Sequence, residues 1–403
     1  LSVSRRRVVV TGMGAVCAIG HDVPQFFAAL QQGRVGIGPI GNIPTERLNV
    51  RVAAEIQGLD TAAHFTPRQL PVMDRTAQLG VIAARQAMGQ AGLRRGEVED
   101  AAVILGAGIG QEAYDSSYMD LYGKGLPRVH PFTVMRIMPN AAASLVSMEF
   151  GIKGPVYAMA SACASANHAI GQAAQMIRAG TVDVALAGGA DAPITVGFMK
   201  GWEAIRVLSA EGCRPFSKDR NGLSIGEGAA VLVLEDAERA AARGVPALME
   251  IAGFGMSADA ADITAPNADG AARAMRMALR DAGCGTGDVH YVNAHGTGTK
   301  LNDKTEVAAL RQVFGPALDR MSVSSTKSMI GHCMTAGAAL ELAATAMAFT
   351  EGVLPPTARF TGADPECDID CIPNEARRAE IEVAMSNAFA FGGLNAVLVV
   401  RRA

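Results

Sequence analysis

Four segments carry side chains or loops that can do acyl chemistry. The first is Ala160-Ser-Ala-Cys-Ala-Ser-Ala-Asn-His-Ala-Ile170, where the thiol of Cys163 sits among small residues at the expected start of a helix. Unpaired N–H groups and the positive dipole end of a helix favour thiolate. Small neighbours leave room for a bulky thioester, so Cys163 reads as an acyl-accepting nucleophile; a buried structural cysteine is the alternative. The second segment, Asn293-Ala-His-Gly-Thr-Gly-Thr299, puts His295 at the carboxyl end of a strand, where α/β sites form. Its Thr297 and Thr299 suit an amide-rich substrate arm; a satisfied turn histidine is the bland reading. The third, Ser324-Ser-Thr-Lys-Ser-Met-Ile-Gly-His332, brings Lys327 and His332 into one loop, with Glu341 on the next helix as an ion partner for the lysine. The last, Asn387-Ala-Phe-Ala-Phe-Gly-Gly-Leu-Asn395, is an apolar loop whose backbone N–H groups can build an oxyanion hole, or an ordinary hairpin connection.

A Cys–His pair alone fits a thiol hydrolase or a thiolase-like enzyme. A second neutral imidazole suits a different role, which is to hold the enolate oxygen that forms when a malonyl thioester loses CO2. Carbon attack on the acyl-Cys163 thioester would follow.

These groups must be positioned by a scaffold. Apolar runs at Val8–Val10, Ala102–Leu105, Val184–Leu186, Val231–Leu234, Met249–Ile251, Val289–Val292 and Val397–Val400 read as buried strands. Helical periodicity covers Thr76–Gln90, Ala164–Ala179, Ala271–Ala282 and Ala336–Thr350. Strands alternating with Ala-rich helices predict an α/β fold. The pattern also occurs twice. Val9-Val-Thr-Gly-Met-Gly14 is echoed by Glu250-Ile-Ala-Gly-Phe-Gly255, and Arg85, Ala87, Ala91 and Gly92 by Arg276, Ala278, Ala282 and Gly283. Order and spacing together imply internal duplication. The expected halves are 1–245, with the cysteine, and 246–403, with both histidines; a cleft is expected at their junction.

Composition narrows the classes. The chain has 403 residues, 49% of them hydrophobic, which is ample for a large core. A net charge of -3 provides no basic field for nucleic acid or anionic membrane, and no apolar run is long enough to span a bilayer. Arg5–Arg7 before an apolar stretch imitates a signal peptide, but Gly12, Gly14 and Gly20 favour a strand and turn. The seven scattered cysteines argue for reduced thiols and a cytoplasmic setting. Cys367 and Cys371 lack partners for a metal site, and no metal or redox cofactor is expected. Gly12-Met-Gly14 is too short for a dinucleotide fingerprint.

Taken together, the motifs resemble the β-ketoacyl-[acyl carrier protein] synthases of the elongating type, especially synthase II. The resemblance spans essentially the whole chain. It includes Val9–Gly14, Met73-Asp74, Ser161–Cys163, Ala187-Gly-Gly-Ala-Asp191, Arg214-Pro-Phe-Ser217, Asn293–Thr299, Ser324–Lys327, Gly331-His332 and Phe391–Gly393. It implies the thiolase-like fold, duplicated halves in five layers α-β-α-β-α, and a homodimer; a heterodimer with a chain-length-factor homologue is the alternative assembly. It implies that substrates ride on the phosphopantetheine of acyl carrier protein. By the same resemblance Cys163, His295, His332 and Lys327 are catalytic, and Glu341 supports the lysine. The N–H groups of Cys163 and Phe391 form the oxyanion hole, and Phe391 is also the gate. Thr297 and Thr299 bind pantetheine. Ile109, Gln111, Thr133 and Phe389 line the acyl pocket, and Arg68, Arg128 and Arg206 dock the carrier. A Cys-His-His set separates this branch from Cys-His-Asn condensing enzymes and from thiolases with a second cysteine. The intact Cys163 argues against the competing reading, a chain-length-determining subunit without its own turnover.

Several residues depart from the housekeeping pattern. Pro71 and Val72 stand where basic residues are usual, Arg128 is retained with Val129 after it, Thr133 stands where an aromatic is usual, and Gln111 where Gly is. Ala390 and Leu394 alter the gate loop, and Asp262 replaces a His. With Trp202-Glu-Ala-Ile-Arg206 and Thr299-Lys-Leu-Asn-Asp303, these changes are similar to nodulation-type and aryl-polyene synthases. That similarity implies a specialised acyl chain, unsaturated or aryl-capped.

Overall fold

The computed structural model describes residues 5–403. Among them ten strands make one continuous sheet: β1 (Val8–Cys17), β2 (Ala102–Ala107), β3 (Val156–Met159), β4 (Val184–Asp191), β5 (Gly228–Asp236), β6 (Met249–Ala258), β7 (Tyr291–Asn293), β8 (Ser322–Ser324), β9 (Val383–Ala390) and β10 (Leu394–Arg401). The order is β8-β7-β9-β10-β6-β1-β5-β4-β2-β3. Inward from either edge, both halves show the same grammar. Three parallel strands (β3, β2, β4 or β8, β7, β9) are followed by two antiparallel ones (β5, β1 or β10, β6). The halves join where Val9 and Val10 of β1 face Glu250 and Met249 of β6.

The principal helices are α1 (Arg75–Gln90), α2 (Ala141–Phe150), α3 (Ser165–Arg178), α4 (Val196–Ala204), α5 (Ala268–Ala282), α6 (Lys300–Phe314) and α7 (Met334–Thr350). α3 and α7 pack on each other and on strands of both halves, so they form the middle layer. α1 and α2 cover the outer face of the first half; α5 covers that of the second and carries α6. The result is α-β-α-β-α. The Arg5–Arg7 segment leads directly into β1.

This layering explains why the strands read as unbroken apolar runs: both faces are covered, so neither is polar. In β5, Ala230, Leu232 and Leu234 face the middle layer while Ala229, Val231 and Val233 face α1. In β10, Ala396, Leu398 and Val400 face the middle layer while Val397 and Val399 face the other way.

The glycine echo has a steric cause. A Cβ on Gly12 would lie 2.2 Å from the Ala87 carbonyl oxygen of α1, and one on Gly253 2.2 Å from that of Ala278 in α5. Gly14 meets Ala83, and Gly255 meets Ala274, in the same way. In each half, a helix backbone lies directly on a glycine-bearing strand.

Candidate active site

Cys163 lies on a tight turn between β3 and α3. Ala162 before it has φ +48, a left-handed conformation costly for a residue with a Cβ. Ser165 bridges the turn: its Oγ accepts from Ser161 N–H at 2.8 Å and donates to the Ala162 carbonyl at 2.7 Å. The outcome differs from the expected thiolate. The helix begins two residues later, at Ser165, and Cys163 is buried. Burial pushes its thiol up to about 11; the Lys327 charge and its own backbone N–H pull it down only in part. The resting nucleophile is therefore a thiol.

His332 follows Gly331, which has φ +67, and its ring lies 3.1 Å from the thiol, Nε2 to Sγ. The Met334 N–H donates to His332 Nδ1 at 3.1 Å, with Met334 itself at φ +44. Thr335 next to it is clamped by Asp191, which accepts from its N–H at 3.2 Å and its hydroxyl at 2.9 Å.

His295 lies just past β7, in a loop held by two buried carboxylates of α6. Glu306 accepts from the N–H groups of His295 and Gly296 at 2.9 and 2.8 Å, and Asp303 accepts from Gly298 at 3.1 Å. Lys327 Nζ lies 3.3 Å from His295 Nδ1 and forms an ion pair with Glu341; both charged side chains are 1% exposed. The two imidazoles meet edge to face with ring centroids 5.5 Å apart. Burial lowers both well below the ordinary 6.5, and the Lys327 charge lowers them further. Both are neutral at physiological pH. The thiol sulfur and the two imidazoles converge with donor atoms within 4.8 Å of one another, close enough to act on one small group.

This triad opens into a cleft of about 480 Å³ lined by Trp202, Thr297, Thr299, Phe389 and Phe391, a typical size for a small-molecule site. Thr297 and Thr299 hydroxyls lie 2.9 Å apart. Phe391 is 39% exposed and stacks on Trp202, centroids 5.6 Å apart at 17°. Ile109, Gln111 and Thr133 are not brought to this cleft within the chain: Ile109 is exposed, Gln111 opens the helix Gln111–Tyr118, and the Thr133 hydroxyl bonds to His130. Of the residues expected in the acyl pocket, Phe389 alone lines the cleft. Arg68, Arg128 and Arg206 are all exposed, and Arg206 follows Ile205 of the cleft wall. Cys367 and Cys371 are buried free thiols. Sequence reading missed Glu306 and Asp303. Their signal was two carboxylates on the helix face behind the histidine loop. It also missed the Met334 N–H, for which no side-chain signal exists.

A duplicated α/β scaffold that sets one thiol against two neutral imidazoles in an apolar cleft defines a carbon–carbon condensing enzyme of the acyltransferase class. The chain matches the Beta-ketoacyl synthase N-terminal domain over residues 5–240 and its C-terminal domain over 248–361, and it belongs to the beta-ketoacyl synthase family. Nodulation protein E of Rhizobium sp. (strain N33) is 48% identical over 400 residues, covering 98% of this chain and 99% of the relative. The 3-oxoacyl-[acyl-carrier-protein] synthase 2 of Staphylococcus aureus (strain COL) is 40% identical over 407 residues, with 98% of each covered. Among solved structures, the ishigamide ketosynthase/chain length factor superposes with TM-score 0.95 at 38% identity, over 99% of this chain and 100% of that one. A type II PKS acyl-carrier protein in complex with its ketosynthase bound to the hexaketide gives TM-score 0.91 at 28% identity, with the same coverage.

Proposed function

We propose that this chain is an elongating β-ketoacyl-ACP synthase of the synthase II type, condensing malonyl-ACP with a Cys163-bound acyl group to give 3-oxoacyl-ACP and CO2. The observation that carries the reading is the convergence of Cys163, His295 and His332 within 4.8 Å. These atoms are assigned to the substrate thioester rather than to a metal.

In the first step Cys163 sulfur adds to the acyl carrier's thioester carbonyl. The carrier thiol leaves with the proton that the Cys163 thiol gives up, so the exchange is neutral. The Met334 bond to Nδ1 keeps the neutral His332 proton on Nε2, facing the sulfur, so His332 stabilises the developing thiolate as a donor. Lys327 does the same for His295, donating to Nδ1 and leaving the proton on Nε2. In the second step the malonyl thioester oxygen accepts from both Nε2–H groups. The bond to the carboxylate breaks, CO2 leaves, and the electron pair becomes an enolate. In the third step the enolate carbon attacks the acyl-Cys163 carbonyl. The backbone N–H groups of Cys163 and Phe391 hold the oxyanion; its collapse frees the cysteine, which takes up one proton.

Thr297 and Thr299 are assigned to the phosphopantetheine arm, and Arg68, Arg128 and Arg206 to the acidic carrier. We place Ile109, Gln111 and Thr133 on the acyl path completed by a second subunit, in a homodimer or beside a chain-length-factor homologue. Among the described residues no helix is long and apolar enough to cross a membrane, and a cytoplasmic location is proposed. The departures at Gln111, Thr133, Ala390 and Leu394 support an unsaturated or aryl-capped primer over an ordinary saturated one.

Intact mass spectrometry tests this. The protein is incubated with acyl-ACP and then malonyl-ACP, beside Cys163→Ala. The expected result is an acyl adduct lost in the variant, followed by 3-oxoacyl-ACP. Free acid as the product marks a thioesterase, and condensation only after a second ketosynthase is added marks a chain-length partner. Strict preference for saturated C10–C16 primers sinks the substrate assignment.

A further inference from the structure

Phe391 stands at the tip of the β9–β10 turn, followed by Gly392 at φ +83 and Gly393 at φ +68. The Gly392 N–H donates to the Ile263 carbonyl at 2.7 Å, which anchors the backbone after Phe391 and leaves the ring's orientation to its contacts. Among the described residues the one aromatic ring stacked on it is Trp202, at 5.6 Å and 17°. Trp202 is held in turn. It sits in the last turn of α4, packs against Phe198 at 6.0 Å, and belongs to a helix whose first turn is tied down by the Thr195 hydroxyl and the Asp115 carboxylate. A rigid helix thus presents an indole face to a phenyl ring on a glycine-rich turn.

We propose that Trp202 is a positioning residue, a latch that holds Phe391 closed over Cys163 between acyl transfer and condensation. The inference rests on the reading of Cys163 as the acyl carrier. Closed, the Phe391 ring keeps water from the thioester. With the stack lost, the ring swings away, water adds to the acyl-Cys163 carbonyl, and free acid leaves with Cys163 regaining its proton as the thiol. An aromatic pair of this kind contributes enough to change the closed population roughly two- to tenfold.

Trp202 is the single tryptophan of the chain, so its fluorescence reads the latch directly. Wild type, Phe391→Ala, Trp202→Phe and Trp202→Ala are compared. In the unacylated protein, Phe391→Ala is expected to raise acrylamide quenching of the indole, because the ring covering it is gone. In acylated protein, Trp202→Ala is expected to raise hydrolysis relative to condensation roughly two- to tenfold, and Trp202→Phe to restore most of the partition. Unchanged quenching in Phe391→Ala, or a wild-type partition in a folded Trp202→Ala, overturns the latch. If no variant and no wild type forms an acyl adduct, the Cys163 reading fails instead, and the quenching comparison alone decides the contact.

Discussion

The Met334 N–H donates to His332 Nδ1 at 3.1 Å, and His332 Nε2 faces Cys163 Sγ at the same distance. One backbone bond therefore sets which ring nitrogen carries the proton and makes His332 a donor toward the sulfur. Lys327 imposes the same tautomer on His295. The two rings act alike because each has its Nδ1 occupied by a donor, one from the main chain and one from a buried ion pair.

The first prediction concerns acid pH. Both histidines have folded values depressed well below 6.5 by burial and the Lys327 charge. Their neutral form should persist through pH 6.5, so malonyl decarboxylation should not halve there. Between 6.5 and the depressed values the unfolded chain binds more protons than the folded one. Their contribution to stability is thus complete above 6.5 and lost as pH falls through that window. A decarboxylation profile with its acid limb at 6.5 contradicts this; thermal unfolding against pH, in wild type and His295→Ala, measures the stability part.

The second concerns the nucleophile. With the Cys163 thiol pushed up to about 11, alkylation by iodoacetamide should climb about tenfold per pH unit from pH 7 to 9. A rate that levels off below pH 9, measured by mass spectrometry of the Cys163 peptide, would show a thiolate poised at neutral pH.

The third concerns the buried pair. Removing Lys327 as Lys327→Ala strands the Glu341 carboxylate, whose folded value burial already raises. The expected cost is about 3–5 kcal/mol, with Lys327→Met plus Glu341→Leu milder. Equilibrium urea unfolding distinguishes the two; equal losses would mean that the stranded charge is not the cause.

The fourth concerns the duplicated glycines. Gly12→Ala and Gly253→Ala each drive a methyl into a helix carbonyl 2.2 Å away, and each should cost about 1–3 kcal/mol. Gly89→Ala, exposed in α1 with nothing within 4 Å of its Cβ, should instead stabilise by about 0.5–1 kcal/mol. Thermal melts of the three single variants suffice; matching signs would refute the steric account.

Much of this was legible in the chain itself. Residues covered on both faces of a sheet, such as Val231–Leu234, must be apolar without interruption, so the strands declared themselves. Gly12 and Gly253 recur because a helix backbone needs the space of a missing Cβ twice. Cys163, His295, Lys327 and His332 stood in loops of small residues, where a reactive side chain and a substrate both need room. What tertiary structure alone decided is electrostatic and directional. Helix position suggested a lowered thiol, and burial raised it, because desolvation depends on atoms far away in sequence. The histidine tautomers follow from a main-chain N–H at Met334 and from Lys327, neither visible in a motif as a tautomer signal. The Trp202–Phe391 stack joins α4 to a turn almost two hundred residues onward; chain order carries no trace of it, since only folding brings those rings together.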